Sequence, residues 1–317
     1  MGPKGWKKSN RAESDDLPMR FMISTRRLLR ELLHREEIIV APGAYDALSA
    51  KLVEEAGFPA VYVSGAAVSA SLLGAPDVGL LTFSEMLAHA QRIVQAVRLP
   101  VIVDADTGYG NAINVIRTVR EFEQIGVAAV HLEDQTFPKR CGHLEDKRVI
   151  PMSEMIGKIQ AALYARTDPD FLIIARTDAR SVYGLDEAIR RGRAYSETGA
   201  DVIFIEAPEG EEEIVRIAES LKGIPLLINL GGGGKTPMLP IARLKALGYK
   251  IAIYPGDLQK ATIKTMREVL AHLKEKGDLA EMAPHMVTFE ERFRLLGLDE
   301  IRRLEQRFLK EGEDDPT

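Results

Sequence analysis

With a single cysteine, Cys141, in 317 residues, the chain has no second thiol with which to close an intrachain disulfide. It has no uninterrupted apolar run near the roughly 20 residues that cross a bilayer, so no membrane span is expected. The N-terminal text MGPKGWKKSNRAESDD is basic but lacks the apolar stretch of a secretory leader, which makes the cytoplasm the expected location. Positive charge is not in excess either. Lys and Arg number 42 against 47 Asp and Glu, for a formal net charge of −5, and this removes the electrostatic footprint that nucleic-acid binding needs. What remains is an ordinary globular composition, 45% hydrophobic and 28% charged, in a length that suits two average domains or one large α/β barrel.

Residues 1 to about 24 are polar and without period, and are expected to form a mobile N-terminal arm. From Ile38 a repeat begins. Short β-branched runs at 38–44, 61–66, 101–108, 129–134, 172–178, 202–207, 226–231 and 251–256 alternate with amphipathic segments. These segments are Ala47–Ala56, Phe83–Val97, Ala112–Ile125, Ser153–Ala165, Leu185–Thr198, Glu211–Leu221 and Ile241–Leu247, several of them closing on glycine. Nearly continuous apolar strands between helices imply a parallel sheet covered on its outer face. Eight units predict a closed (β/α)8 barrel of the TIM type over residues 25–275, rather than an open doubly wound sheet. The tail after about Lys260, with helices at Ile263–Lys276 and Asp299–Lys310, exceeds what a barrel needs, and residues 276–317 read as a C-terminal helical extension.

Catalytic groups of such barrels project from the C-terminal strand ends. Those ends carry Ser64, Asp104, Asp106, Glu133, Asp134, Arg176, Asp178, Glu206, Asn229 and Tyr254. A carboxylate at the edge of an apolar core is unfavourable unless it is paired or bound to a cation. In VIVDADTGYG, Asp104 and Asp106 stand two apart on an expected strand, which would put both on one face, where hard oxygen donors suit Mg²⁺ or Mn²⁺. The competing reading has one aspartate capping the next helix and the other pairing with Arg176; Glu133 and Glu206 at neighbouring strand ends favour the metal. After the fourth strand, Lys139-Arg140-Cys141-Gly142-His143 sets a thiol among cations in a loop with glycine freedom, which suits a segment that closes over a substrate. A lone cysteine is more often a buried apolar residue, but the flanking charges argue against burial. Gly231–Thr236 reads GGGGKT, but a phosphate-binding loop would need glycine where Asn229 stands. It reads instead as a flexible loop, with Lys235 available to an anionic substrate.

V-S-G (63–65), L-G-A-P-D (73–77), D-A-D-T-G-Y-G (104–110), L-E-D-Q (132–135), K-R-C-G-H (139–143), A-R-T-D (175–178), E-A-P (206–208) and G-K-T-P (234–237) together resemble the isocitrate lyase and phosphoenolpyruvate mutase superfamily, in the family's order and over roughly residues 35 to 260. Within it the chain looks like the methylisocitrate lyase, 2,3-dimethylmalate lyase and carboxyphosphonoenolpyruvate mutase-like members. The resemblance implies a Mg²⁺-dependent enzyme that handles α-keto acids through an enolate, and a homotetramer whose terminal helices are exchanged between subunits. It makes Asp104 and Asp106 the metal-side carboxylates, with Asp77 and Glu133 acting through water. Ser64, Gly65 and Ala66 become a backbone cradle for the keto-acid carboxylate, and Gly142, Arg176, Glu206 and Asn229 further substrate contacts. Cys141 corresponds to the lyase acid, with His143, Tyr62 and Arg176 assisting. Phosphorus-transferring members lack the Cys-Gly-His text, so its presence favours C–C cleavage. At positions where methylisocitrate lyases carry arginines for a third carboxylate stand Lys260 and Phe289, and Leu230 and Gly231 replace polar text. That favours a 2-hydroxy dicarboxylate such as a 2-alkylmalate or 2,3-dimethylmalate over 2-methylisocitrate. Oxaloacetate hydrolase and phosphonate-forming mutase are the alternatives on the same scaffold, and a metabolite-binding barrel without catalysis is the alternative outside enzymes.

Overall fold

A computed structural model describes residues 24–142 and 144–309. The eight apolar runs are parallel strands: β1 (Ile39–Ala44), β2 (Val61–Val63), β3 (Val101–Asp104), β4 (Ala129–Glu133), β5 (Leu172–Thr177), β6 (Val202–Ile205), β7 (Leu226–Asn229) and β8 (Tyr249–Tyr254). Each pairs with the next, and β8 returns to β1 with Ile251 opposite Ile39, closing the barrel. Helix starts follow local chemistry. Asp46 with Ser49, Thr82 with Glu85, and Asn111 with Asn114 each form a reciprocal capping box, and Gly199 and Gly248 end helices in the left-handed conformation.

Side chains alternate faces along a strand, and this alternation places the polar residues. On β3, Val101 and Val103 pack outward against helices while Ile102 faces the axis; on β5, Ile173 and Ala175 face outward and Leu172 and Ile174 inward; β6 repeats the pattern with Phe204 inward. Carried to the C-terminal end of each strand, the inward positions become Ser64, Asp104, Glu133, Arg176, Glu206 and Asn229. The top layer of the barrel interior is therefore polar, above an apolar floor.

The N-terminal end is stoppered by the helix Thr25–Leu33, which the reading of the sequence did not name. Its Leu29 and Leu33 join the interior apolar cluster. Arg26 donates to the Val127 carbonyl (3.0 Å), and Arg30 pairs with Asp201 (3.0 Å), so the helix is tied to the rim by charge as well as by packing. Two further unannounced helical pieces, Gly65–Val68 continuing as Ser69–Leu73 and Ala179–Tyr183, follow β2 and β5 and are too short to show a period.

The helix after β8 is tied to the barrel at its start, where Gln259 donates to the Ala67 carbonyl (2.9 Å) and Thr262 meets the Tyr45 hydroxyl (2.9 Å). In the helix Asp257–Lys276, which follows β8, no residue is buried, and Ile263, Met266 and Leu270 are exposed. On the outer wall beside β8, Val40, Pro42, Leu52, Phe58 and Leu258 line an apolar groove. The segments Phe289–Leu295 and Leu298–Phe308 likewise bury no residue.

Candidate active site

A cavity of about 270 Å³ opens at the C-terminal mouth of the barrel. Tyr62, Ser64, Ala66, Asp77 and Asp104 form one wall and Arg176, Phe204 and Glu206 the next, with Asn229, Gln259 and Lys260 opposite; Cys141 and Gly142 come in from the loop after β4. Asp106 and Glu133 are buried beside this space rather than lining it. The backbone of Gly142 lies directly on the Arg176 and Glu206 side chains, since a Cβ there would stand 2.6 Å from Arg176 Nη2 and 2.7 Å from Glu206. The loop is thus seated over the mouth. His143 lies outside the described residues.

Asp104 and Asp106 do converge, but not because they share a strand face. β3 ends at Asp104, and Asp106 sits in a turn with φ +48°. Its own N–H donates to Asp104 Oδ1 (3.0 Å), while the Gly65 N–H donates to Asp104 Oδ2 (3.1 Å). The Gly65 N–H, expected in a substrate cradle, is therefore engaged with a carboxylate. Nor does either aspartate pair with Arg176. That guanidinium is gripped by Asp178 (Nε to Oδ2 2.8 Å, Nη2 to Oδ1 3.0 Å) and flanked by Glu133 (3.3 Å) and Glu206 (3.4 Å).

Charge decides the behaviour of these groups. Burial pushes the Asp106 carboxyl up to about 7; Lys139 opposes this, while Asp104 and Asp77 add to it. Burial likewise raises Glu133 well above the usual carboxylate range, with Asp178 and Asp104 adding and Arg176 opposing. Burial acts on Asp104 in the same sense, but His131, Lys139 and Arg176 outweigh it and hold that carboxyl well below its ordinary value. Burial lowers the Lys139 ammonium, but Asp106, Asp104, Glu133 and Asp77 outweigh it and hold that group well above its ordinary value.

Several loop residues act differently from expectation. The Lys139 ammonium is buried between Asp77 Oδ1 (2.5 Å) and Asp106 Oδ1 (2.8 Å). Arg140 is half exposed and faces Asp146. Lys235 pairs with Glu145 (3.1 Å), and Phe289 is exposed on the C-terminal extension, away from the cavity lining. Tyr254 lines the outer groove, and Asp134 points outward into a buried network with Arg191 (2.8 Å), Tyr195 (2.8 Å) and Thr177 (2.7 Å). Those partners make it a structural residue.

The residue most clearly missed is His131. Fully buried on β4, it lies with Nε2 2.7 Å from the Tyr62 hydroxyl and 3.0 Å from Asp104 Oδ1, its ring stacked on Tyr62. The signal was present in the text: in AVHLED it shares the inward parity of Glu133.

The donor set fits a divalent cation. Glu133 Oε1 is buried with no hydrogen-bond partner. Gly65 has no Cβ where Asp104 Oδ2 and Asp106 Oδ1 would stand 3.0 and 3.2 Å from it, which leaves room beside both carboxylates. Among the described residues no three His, Cys, Asp or Glu side chains are grouped so as to hold a metal ion directly. A pair of hard carboxylates with open positions is the arrangement Mg²⁺ accepts, because it retains waters and takes substrate oxygens.

Residues 29–274 match the family model described as phosphoenolpyruvate phosphomutase. The chain is 51% identical over 286 residues to the 2,3-dimethylmalate lyase of Eubacterium barkeri (90% of this chain, 99% of the relative) and 44% identical over 287 residues to the 2-methylisocitrate lyase of Aeropyrum pernix (90% and 92%). A crystal structure of 2,3-dimethylmalate lyase, described as a PEP mutase/isocitrate lyase superfamily member, superposes with a TM-score of 0.86 at 38% identity, covering 92% of this chain and 99% of that one. A phosphonopyruvate hydrolase in complex with oxalate and Mg²⁺ superposes with a TM-score of 0.83 at 36% identity, covering 90% and 100%.

The raised Asp106 carboxyl has a consequence for stability. Its folded value of about 7 exceeds the ordinary 3.8, so the native state binds more protons than the unfolded chain between those pH values, and stability from this group is lost as pH rises through that window. In metal-free protein, Asp106→Asn is expected to gain stability relative to wild type from pH 4 to pH 7 and to hold a constant difference above it. Urea denaturation of both proteins across that range checks this; a difference that does not change with pH contradicts it.

Proposed function

The chain belongs to the phosphoenolpyruvate mutase and isocitrate lyase superfamily, and from that premise we propose that it is a Mg²⁺-dependent carbon–carbon lyase of 2-hydroxy dicarboxylates. The substrate class is 2,3-dimethylmalate or another 2-alkylmalate, with the tricarboxylate 2-methylisocitrate as the neighbouring possibility, cleaved to an α-keto acid such as pyruvate and a carboxylic acid. The observation that carries this reading is the Cys141 thiol brought into one cavity with Asp104, Arg176 and Glu206. The 51% identity to a 2,3-dimethylmalate lyase supports the dicarboxylate, as does a far wall whose cation is Lys260.

Cleavage requires a proton to leave the substrate hydroxyl, the C–C bonding pair to pass to the departing fragment, and a proton to arrive at its carbon. Burial raises the Tyr62 phenol well above its ordinary value, with Asp104 adding, so Tyr62 does not act as a standing phenolate. It can accept the hydroxyl proton while passing its own to His131 Nε2, where ionised Asp104 at 3.0 Å stabilises the imidazolium. Arg176, fixed by Asp178, orients a substrate carboxylate, with Ser64, Glu206 and Asn229 lining the same space. Cys141 delivers the second proton to carbon. Asp104 and Asp106, with Asp77 and Glu133 through water, would hold Mg²⁺ or Mn²⁺, which neutralises the oxygen charge that develops on the keto-acid fragment.

The apolar groove beside β8 and the exposed apolar face of Asp257–Lys276 support a homotetramer in which a second copy's helix covers the groove. No helix among the described residues is long and apolar enough to cross a membrane, and we place the enzyme in the cytoplasm, without nucleic-acid partners.

Cys141→Ser should keep metal and substrate binding while losing keto-acid release from 2,3-dimethylmalate by roughly 10²–10⁴-fold, the usual worth of general acid help. A near wild-type rate in that variant, or a wild type that cleaves no 2-hydroxy acid while turning over oxaloacetate or a phosphonate, sinks the lyase reading. Light scattering at micromolar concentration should give the mass of four chains; a monomer mass refutes the exchange of helices.

A further inference from the structure

Lys147 stands out in the segment that carries Cys141. Its side chain is 1% exposed, although Asp146 before it is 85% exposed. Removing a lysine ammonium from water is costly unless a carboxylate and further acceptors receive it. Both are present: Nζ lies 2.8 Å from Asp178 Oδ1 and donates to the Gly142 carbonyl.

Asp178 is a rigid receiver, with its N–H donating to Asp134 Oδ1 (2.9 Å) and its carboxylate gripping Arg176. Arg176 and Lys147 together outweigh its burial and keep it ionised. Lys147 therefore connects the loop to the same aspartate that fixes the substrate-site arginine, and through the Gly142 carbonyl it fixes the peptide next to Cys141. The Cys141 N–H, donating to the Asp77 carbonyl (3.1 Å), is a neutral tether on the other side.

We propose that Lys147 is a positioning residue, fixing the Gly142 carbonyl, and with it the Gly142 backbone against Arg176 and Glu206, so that the neighbouring Cys141 thiol is presented to the substrate carbon. Loss of the ammonium leaves Asp178 its Arg176 partner and the barrel its core, but leaves the Gly142 carbonyl without that donor. The role rests on Cys141 as the proton donor, but its physical content, the placement of the thiol, is measurable without a substrate.

Because Cys141 is the only cysteine, iodoacetamide reports on this thiol alone, and the rate plateau at high pH, where the thiol is fully ionised, reads its exposure. Lys147→Met should still melt in one cooperative transition, below the wild-type temperature because Asp178 loses a buried partner; at a temperature where both are folded it should raise the alkylation rate by about tenfold and lower kcat on 2,3-dimethylmalate by about 10²-fold with KM within about threefold. Lys147→Arg, which keeps the charge, should recover part of both effects. Gly142→Ala guards against misfolding of the lysine variant, since its methyl cannot fit between Arg176 and Glu206 and should expose the thiol without removing a charge. Alkylation of Lys147→Met at the wild-type rate, alkylation of Gly142→Ala at that rate, or faster alkylation of Lys147→Met with kcat unchanged would each overturn the proposal. A wild type without lyase turnover would instead remove the reading of Cys141 as acid, and the alkylation rates would still decide what Lys147 does.

Discussion

Negative charge at the mouth of the barrel is the constraint on which the site depends. Asp77, Asp104, Asp106, Glu133, Asp178 and Glu206 gather there, facing the cations Lys139, Lys147 and Arg176. Carboxylates removed from water must be paired, protonated or bound to a metal. The first two are seen here, and there is room for the third. Asp178 is paired and held ionised, Glu133 and Asp106 are pushed toward the neutral acid, and the space beside Gly65 leaves Asp104 and Asp106 open to a divalent cation. A bound cation reverses the sign of the local field and favours the ionised form of the carboxyls that burial now raises.

The loop after β4 is held by the same charge. Lys139 and Lys147 enter from either side of Cys141 and are received by carboxylates that the barrel has already fixed, Asp77 with Asp106 at one end and Asp178 at the other. Asp178, which grips Arg176, is thus also an anchor of the loop that carries Cys141. Gly142 completes the arrangement because only a residue without Cβ can rest on Arg176 and Glu206.

Much of this was legible in the sequence, since strand and helix follow local patterns. The apolar runs became the strands, and Asp46, Thr82 and Asn111 capped helices where the text placed them. Strand parity, a period of two, already set Ser64, Asp104, Glu133, Arg176, Glu206 and Asn229 on one face, and the same count would have found His131. What one-dimensional text did not carry is contact between distant elements. Asp134 and Asp178 look alike at strand ends, but one faces outward to Arg191 and the other inward to Arg176 and Lys147. Asp106 reaches its place through a left-handed turn rather than the pleat, and the stopper helix Thr25–Leu33 is defined by what it plugs.

The most direct test of the account is keto-acid release from 2,3-dimethylmalate by enzyme stripped of metal and then titrated with Mg²⁺. The account predicts no release in excess chelator and restoration as Mg²⁺ is returned. Undiminished release in the stripped enzyme would contradict it, because the open carboxylate pair of Asp104 and Asp106 would then have no cation to hold.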